Sequence, residues 1–283
     1  MPTLRTLLVL GRVSNLPTVW SNCLAGWLLG GGGDWWRFGL LCAGATCVYV
    51  GGMYLNDAFD TQFDQQHRSE RPIPSGAISS SLVWRLGFTW LASGVAALFL
   101  LGPVPAALTV GLSLSVLVYD AIHKIFAFSP VLMAACRFFL YLVAATATGN
   151  DLTGLAVWSA LALAAYIVGL THLAKKESVR GALRFWPCLL LGAPILLALL
   201  INTGAFQQPA LLLGAALALW VLRCARRVWW TAQRDIGRAV SGLLAGIVLV
   251  DLLAVADQPP VYGAVFLGLF LLALLFQRFV PAT

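Results

Sequence analysis

The sequence is short of charge. Only 10% of its 283 residues are Asp, Glu, Lys or Arg, whereas 60% are hydrophobic. A soluble fold of that length cannot cover its surface with so few solvated groups. Paired cysteines are missing too: Cys23, Cys42, Cys47, Cys136, Cys188 and Cys224 contain no C-x-x-C and lie mostly inside apolar runs. That argues against a zinc site or a disulfide frame. The alternating polarity of a membrane β-barrel is also lacking, as are a polar linker and a low-complexity tail. Residues 1–14 are broken by Arg5 and Arg12 and lead into the first apolar run without a small-residue cleavage site, so they do not read as a signal peptide.

What is present is a series of apolar runs of the length that crosses a bilayer as a helix, about 20 residues. They fall at roughly 16–33, 38–57, 82–101, 104–122, 130–149, 153–172, 186–202, 207–225, 239–256 and 260–279. The expectation is an all-α, polytopic transmembrane helical bundle of roughly nine to ten spans, forming a single integral membrane domain over 1–283. The formal charge of +7 comes from cations in short loops, which suit anionic headgroups rather than nucleic acid. Nearly all of them precede odd-numbered spans or follow even-numbered ones; Arg37 is the exception. By the positive-inside rule, the N-terminus and the charged loops are expected on the cytoplasmic side, which is the inner membrane face if the source is bacterial.

The few acidic residues are concentrated. In NDAFDTQFDQQHRSERPIPSG, residues 56–76, Asn56, Asp60 and Asp64 are four apart and share one face of a helix. Asp57 lies about 100° round from Asn56, close enough to join or support the cluster. Carboxylates so near one another need a positive charge between them, and a hard divalent cation such as Mg²⁺ suits oxygen ligands. His67, Arg68 and Arg71 then reverse the charge, and Pro72, Pro74 and Gly76 end the element. An acidic face beside a basic turn is a cradle for a metal–diphosphate. The plainer alternative is a set of interfacial carboxylates paired with arginines.

The pattern N-D-x-x-D-x-x-x-D followed by R-P-x-P-x-G strongly resembles the UbiA superfamily of intramembrane prenyltransferases. The resemblance extends upstream to Arg12-Val13-Ser14-Asn15-Leu16-Pro17-Thr18. Downstream it takes in Tyr119 and Lys124 as a Y-x-x-x-x-K segment, together with Arg137 on the fifth span. It covers roughly the first 185 residues; the remainder matches only in being apolar. It implies a bundle around a lateral, lipid-open cavity, with Mg²⁺ holding a polyprenyl diphosphate at the cytoplasmic end. By the family's pattern Asn56, Asp60 and Asp64 carry the metal, and Arg68 and Lys124 contact the diphosphate. The physics agrees: departure of diphosphate from an allylic carbon needs its charge neutralised, and the allylic cation needs shelter from water.

The end of the sixth span departs from that family. Where it carries a second D-x-x-x-D, this chain has Leu173 at the first position and Glu177 at the second, with Lys175 and Lys176 between. Either a lysine replaces the second metal as a fixed charge on the diphosphate and Glu177 orients it or keeps one ion, or the site binds without catalysing. As ordinary interfacial anchors the lysines need neither reading.

Arg137 lies about two turns inside its span, where an unpaired cation costs roughly 2.5 kcal/mol or more. Glu177, a motif aspartate or the diphosphate is its expected partner. Asp120 and Lys124, four apart, are positioned to pair with each other, and His123 reads as an interfacial side chain. Arg12, Asn15, Asp57 and Tyr119 are candidates for the cavity wall. Asp251, deep in the ninth span with no cation near it in sequence, is left outside the site. The leading expectation is Mg²⁺-dependent transfer of a prenyl group to a small, hydrophobic, aromatic acceptor. A non-catalytic isoprenoid-lipid carrier is the alternative.

Overall fold

The computed structural model describes residues 2–178, 186–230 and 234–282, apart from the side chains of 176–178 and 186. Among the described residues the regular structure is entirely helical: α1 Leu4–Leu10, α2 Leu16–Leu29, α3 Trp35–Phe59, α4 Thr61–His67, α5 Ser80–Phe99, α6 Pro103–Ile122, α7 Ser129–Thr146, α8 Gly154–Ser178, α9 Ala193–Ile201, α10 Gln207–Trp229, α11 Ile236–Ala254 and α12 Pro260–Phe276. Seven of these regions are long and apolar enough to cross a membrane: α3, α5, α6, α7, α8, α10 and α11. The other three expected spans coincide with helices of 14, 9 and 17 residues, α2, α9 and α12. The run at 16–33 is cut short because Gly31, Gly32 and Gly33 take positive φ, a conformation that ends a helix.

Within a largely apolar core the bundle also buries polar side chains, while large apolar ones are exposed on its surface. Ser21, Asn22, Thr109 and Asp251 are fully buried, while Leu100, Leu114, Leu212 and Leu219 face outward. In water that arrangement would be unfavourable; in lipid it is the expected one. On α10 the buried positions Ala210, Gly214, Leu217, Cys224 and Val228 form one narrow stripe, and the leucines beside it are bare.

Helices α3 and α5 form a hairpin whose backbones touch. A Cβ on Gly51 would lie 2.6 Å from the backbone nitrogen of Leu91, and one on Gly94 2.6 Å from that of Val48. Glycine at both contacts lets the helices close without an intervening side chain. This packing fixes the end of α3, where the acidic sequence begins. At the opposite end Arg37 donates to the carbonyl oxygens of Ala147 and Leu101, tying three connections together.

Candidate active site

Helix α3 stops at Phe59, but the acidic face does not. Asp60 is both the last cap of α3 and the first cap of α4, with φ −78° and ψ −2°. The backbone N–H of Asp60 donates to Asn56 O, that of Asp64 to Asp60 O, and that of Arg68 to Asp64 O, at 2.8–3.0 Å. The four-residue register therefore runs through the joint. Asn56, Asp57, Asp60 and Asp64 are all buried, Asp64 to 1% exposure.

Each carboxylate is answered by a cation from another segment. Arg12 donates through Nη2 to Asn56 Oδ1 and Asp57 Oδ1, both at 3.2 Å. It does so from a left-handed backbone, φ 41°, the one non-glycine residue with positive φ among the described residues. Such a conformation is costly for a long side chain and persists where neighbours impose it. Arg71, from the proline-rich turn, uses one nitrogen, Nη1, for Asp57 Oδ1 and Asp64 Oδ2, each at 3.1 Å. From just beyond α6, Lys124 Nζ lies 3.1 Å and His123 Nε2 3.4 Å from Asp60 Oδ2. The Lys124 ammonium sits 3.4 Å from the Phe63 ring centroid, a cation–π contact. The His123 ring stacks on Tyr119, 4.8 Å between centroids.

Electrostatics separates the two motif aspartates. Burial raises the Asp60 carboxyl, but His123 and Lys124 outweigh it and the group lies below its ordinary value. At Asp64 burial prevails over Arg71, and the carboxyl lies above its ordinary value. Burial likewise lowers the Lys124 ammonium against the pull of Asp60.

Several residues stand elsewhere than their sequence positions suggested. Lys124 pairs with Asp60 and not with Asp120; Asp120 Oδ1 accepts instead from Asn56 Nδ2 at 3.0 Å. His123, expected at the interface, belongs to the cluster. Arg71, three residues beyond the α4 cap at Arg68, spans two carboxylates. Lys175 donates to Phe126 O, 3.2 Å away in the α6–α7 connection. Asn15 donates to Ala282 O at 2.9 Å. Arg137 is bonded to Thr18 O, Thr18 Oγ1 and Asn22 Oδ1, and not to a motif aspartate. The side chains of Lys176 and Glu177 lie outside the described residues.

The donor set suits a hard divalent cation. It is built of oxygens, and Asp64 Oδ1 and Asp120 Oδ2 are buried without a hydrogen-bond partner. Among the described residues no three His, Cys, Asp or Glu side chains already cage one point. The carboxylates are held by Arg and Lys, so an incoming ion would compete with Arg71 and Lys124 for them.

Comparison with known proteins bears on this arrangement. A sequence model described as the UbiA prenyltransferase family matches residues 15–240. Digeranylgeranylglyceryl phosphate synthase of Ignicoccus hospitalis is 37% identical over 65 residues, 23% of this chain and only 22% of that protein's length. An apo UbiA homologue from Aeropyrum pernix K1 superposes with a TM-score of 0.69 at 15% identity, over 88% of this chain and 98% of that one. A UbiA homologue from Archaeoglobus fulgidus, solved with GPP and Mg²⁺, gives a TM-score of 0.54 at 16% identity over 97% of each chain. The two structures speak to the fold, and the family match runs from the turn before α2 into α11. The chain belongs to the UbiA prenyltransferase family.

Proposed function

We propose that this protein transfers a prenyl group from a polyprenyl diphosphate to a small hydrophobic, aromatic acceptor, with Mg²⁺ as cofactor, at the cytoplasmic end of the bundle. One observation carries the reading. Buried carboxylates of the α3–α4 joint are paired in one cluster with cations from three separate segments: Arg12, Arg71 and Lys124. A purely structural cluster gains little from so many desolvated ions. A site that must bind a metal and a polyanion needs both signs within reach. The GPP and Mg²⁺ in the Archaeoglobus fulgidus homologue support the same substrate class.

Asn56, Asp60 and Asp64 would hold the ion, with Glu177 at the family's second motif position. Bound there, Mg²⁺ would supply charge to the leaving diphosphate oxygens. Lys124 and Arg71, with Arg68, would stabilise the growing negative charge on the diphosphate. The allylic C–O bond breaks with its electron pair going to diphosphate; the acceptor atom forms the new bond to carbon and loses its proton to water at the mouth. Tyr119 and Arg12 line the approach, and Asn15 holds the turn that carries Arg12. Arg137, one layer deeper, acts from the cavity wall rather than on the diphosphate. Lys175, which reaches the α6–α7 connection, stands at the rim. Membrane lipid receives the isoprenoid tail through a lateral opening, and the cationic loops favour the cytoplasmic orientation.

A carrier that binds the diphosphate without cleaving it is the second reading. It is favoured by Leu173, which fills a metal-ligand position of the family and is buried to 1% exposure. The two readings divide on one experiment. Protein purified into nanodiscs is incubated with isotopically labelled geranyl diphosphate, Mg²⁺ and candidate aromatic acceptors, and products are read by mass spectrometry. A prenylated product with pyrophosphate release supports the transferase. Tight binding with the donor recovered intact supports the carrier.

A further inference from the structure

A second group of buried ions lies between α2, α7 and α11, away from the acidic cluster. Asp251 on α11 is fully buried, and Arg137 on α7 is 8% exposed. The Asn22 amide on α2 stands between them. Its Nδ2 donates to Asp251 Oδ2 at 2.7 Å, and its Oδ1 accepts from Arg137 Nη1 at 2.7 Å. Ser21 Oγ also donates to Asp251 Oδ2. The charges on Arg137 and Asp251 thus answer each other through a polarised side-chain amide.

The network does not end at Arg137. Its guanidinium lies 5.8 Å from the centroid of the Tyr49 ring. The Tyr49 hydroxyl donates to Arg12 O at 3.3 Å, and Arg12 is the residue bonded to Asn56 and Asp57. The guanidinium's remaining N–H groups have no acceptor among the described residues. A bundle that needed only stability would do as well with apolar packing at this depth.

We infer that Asp251 is a positioning residue for the reaction: through the Asn22 amide it fixes the Arg137 guanidinium in the cavity wall, and through Tyr49 it steadies the turn that presents Arg12. This rests on the transferase reading above. It assigns a role to a residue beyond the 15–240 stretch that the family match covers. Asp251 touches no substrate; it acts by geometry and charge on residues that do.

The test compares Asp251→Asn, Arg137→Met and the double variant in nanodiscs. Thermal melting and Mg²⁺-dependent pyrophosphate release from geranyl diphosphate are both read. Each single change leaves one ion unanswered and lowers the melting temperature; the double variant recovers most of the loss. Well below its melting temperature, Asp251→Asn loses about ten- to a hundredfold in kcat while KM for geranyl diphosphate stays within about twofold. If Asp251→Asn does not fold, Asn22→Ser removes the bridging amide, keeps both ions and shows the same kcat loss. Additive melting losses would overturn the pairing. A wild-type kcat in Asp251→Asn, or in Asn22→Ser where that variant replaces it, overturns the positioning role alone. A wild-type protein that releases no pyrophosphate overturns the transferase reading and this role with it.

Discussion

Lys124 stands 3.1 Å from Asp60, although three helices, α4, α5 and α6, lie between them in the chain. The pair is a charged hydrogen bond at the edge of the cluster, with Lys124 partly exposed and Asp60 buried. With Asp60 engaged by an ion, the Lys124 ammonium would be available to the leaving group, which is the role proposed for it above. Lys124→Ala should lower pyrophosphate release by about 10²–10³-fold, as loss of one transition-state charge donor does. Lys124→Arg should retain more of the rate than Lys124→Ala. Equal loss in both would point to packing on Phe63 rather than to charge.

Arg71 answers two carboxylates with a single nitrogen. Without a metal, Arg71→Met takes away the cation that Asp64 pairs with, while Asp57 keeps Arg12, and removing one partner of a buried pair typically destabilises by about 3–5 kcal/mol. The protein should melt lower in EDTA, and added Mg²⁺ should restore more of the melting temperature in Arg71→Met than in the wild type. Thermal melting with and without Mg²⁺ reads both. The same Mg²⁺ effect in the two proteins would count against a shared site for ion and arginine.

The α3–α5 contact makes a prediction about stability that is independent of chemistry. Gly94→Leu drives a side chain into the backbone of α3, and overpacking of this kind costs about 1–3 kcal/mol or more. Because α3 carries Asn56 and Asp57, activity should fall together with the melting temperature. Gly39, which has open space around its Cβ position, should accept Ala with little change in melting.

Chelation offers a fourth test. EDTA should stop pyrophosphate release, and Mg²⁺ should restore it. Asp64→Asn should raise the Mg²⁺ concentration needed for half-maximal rate, because it removes one of the anionic oxygen donors. A rate in EDTA equal to that in Mg²⁺ would remove the metal from the account.

The seven long apolar helices were legible because a span announces itself locally, by about 20 apolar residues in a row. The length of α2 was less so, since four consecutive glycines look apolar enough to extend it while their backbone ends it. Asn56, Asp60 and Asp64 were visible by their spacing alone, and the register survives the change from α3 to α4 because Asp60 keeps helical angles. Which cation of the following turn folds back was not legible. Arg71 reaches back to Asp57 and Asp64 because of the path of 68–76, which residue spacing does not encode. His123 shared that difficulty: its partner, Asp60, lies on another helix, and only packing brings them together. Asp251 was hardest of all, because the residues that explain it, Asn22 and Arg137, come from the first and fifth apolar runs. Sequence spacing carries no signal for contacts of that kind.

Binding of a metal–diphosphate at the joint of α3 and α4 is the central claim. The direct measurement is pyrophosphate release from geranyl diphosphate by wild type and by Asp60→Asn in nanodiscs, each titrated with Mg²⁺. Wild type is expected to release pyrophosphate with saturable Mg²⁺ dependence, and Asp60→Asn to fall by at least about a hundredfold while remaining folded. An Asp60→Asn protein as active as the wild type, at the same Mg²⁺ concentration, would contradict the central claim.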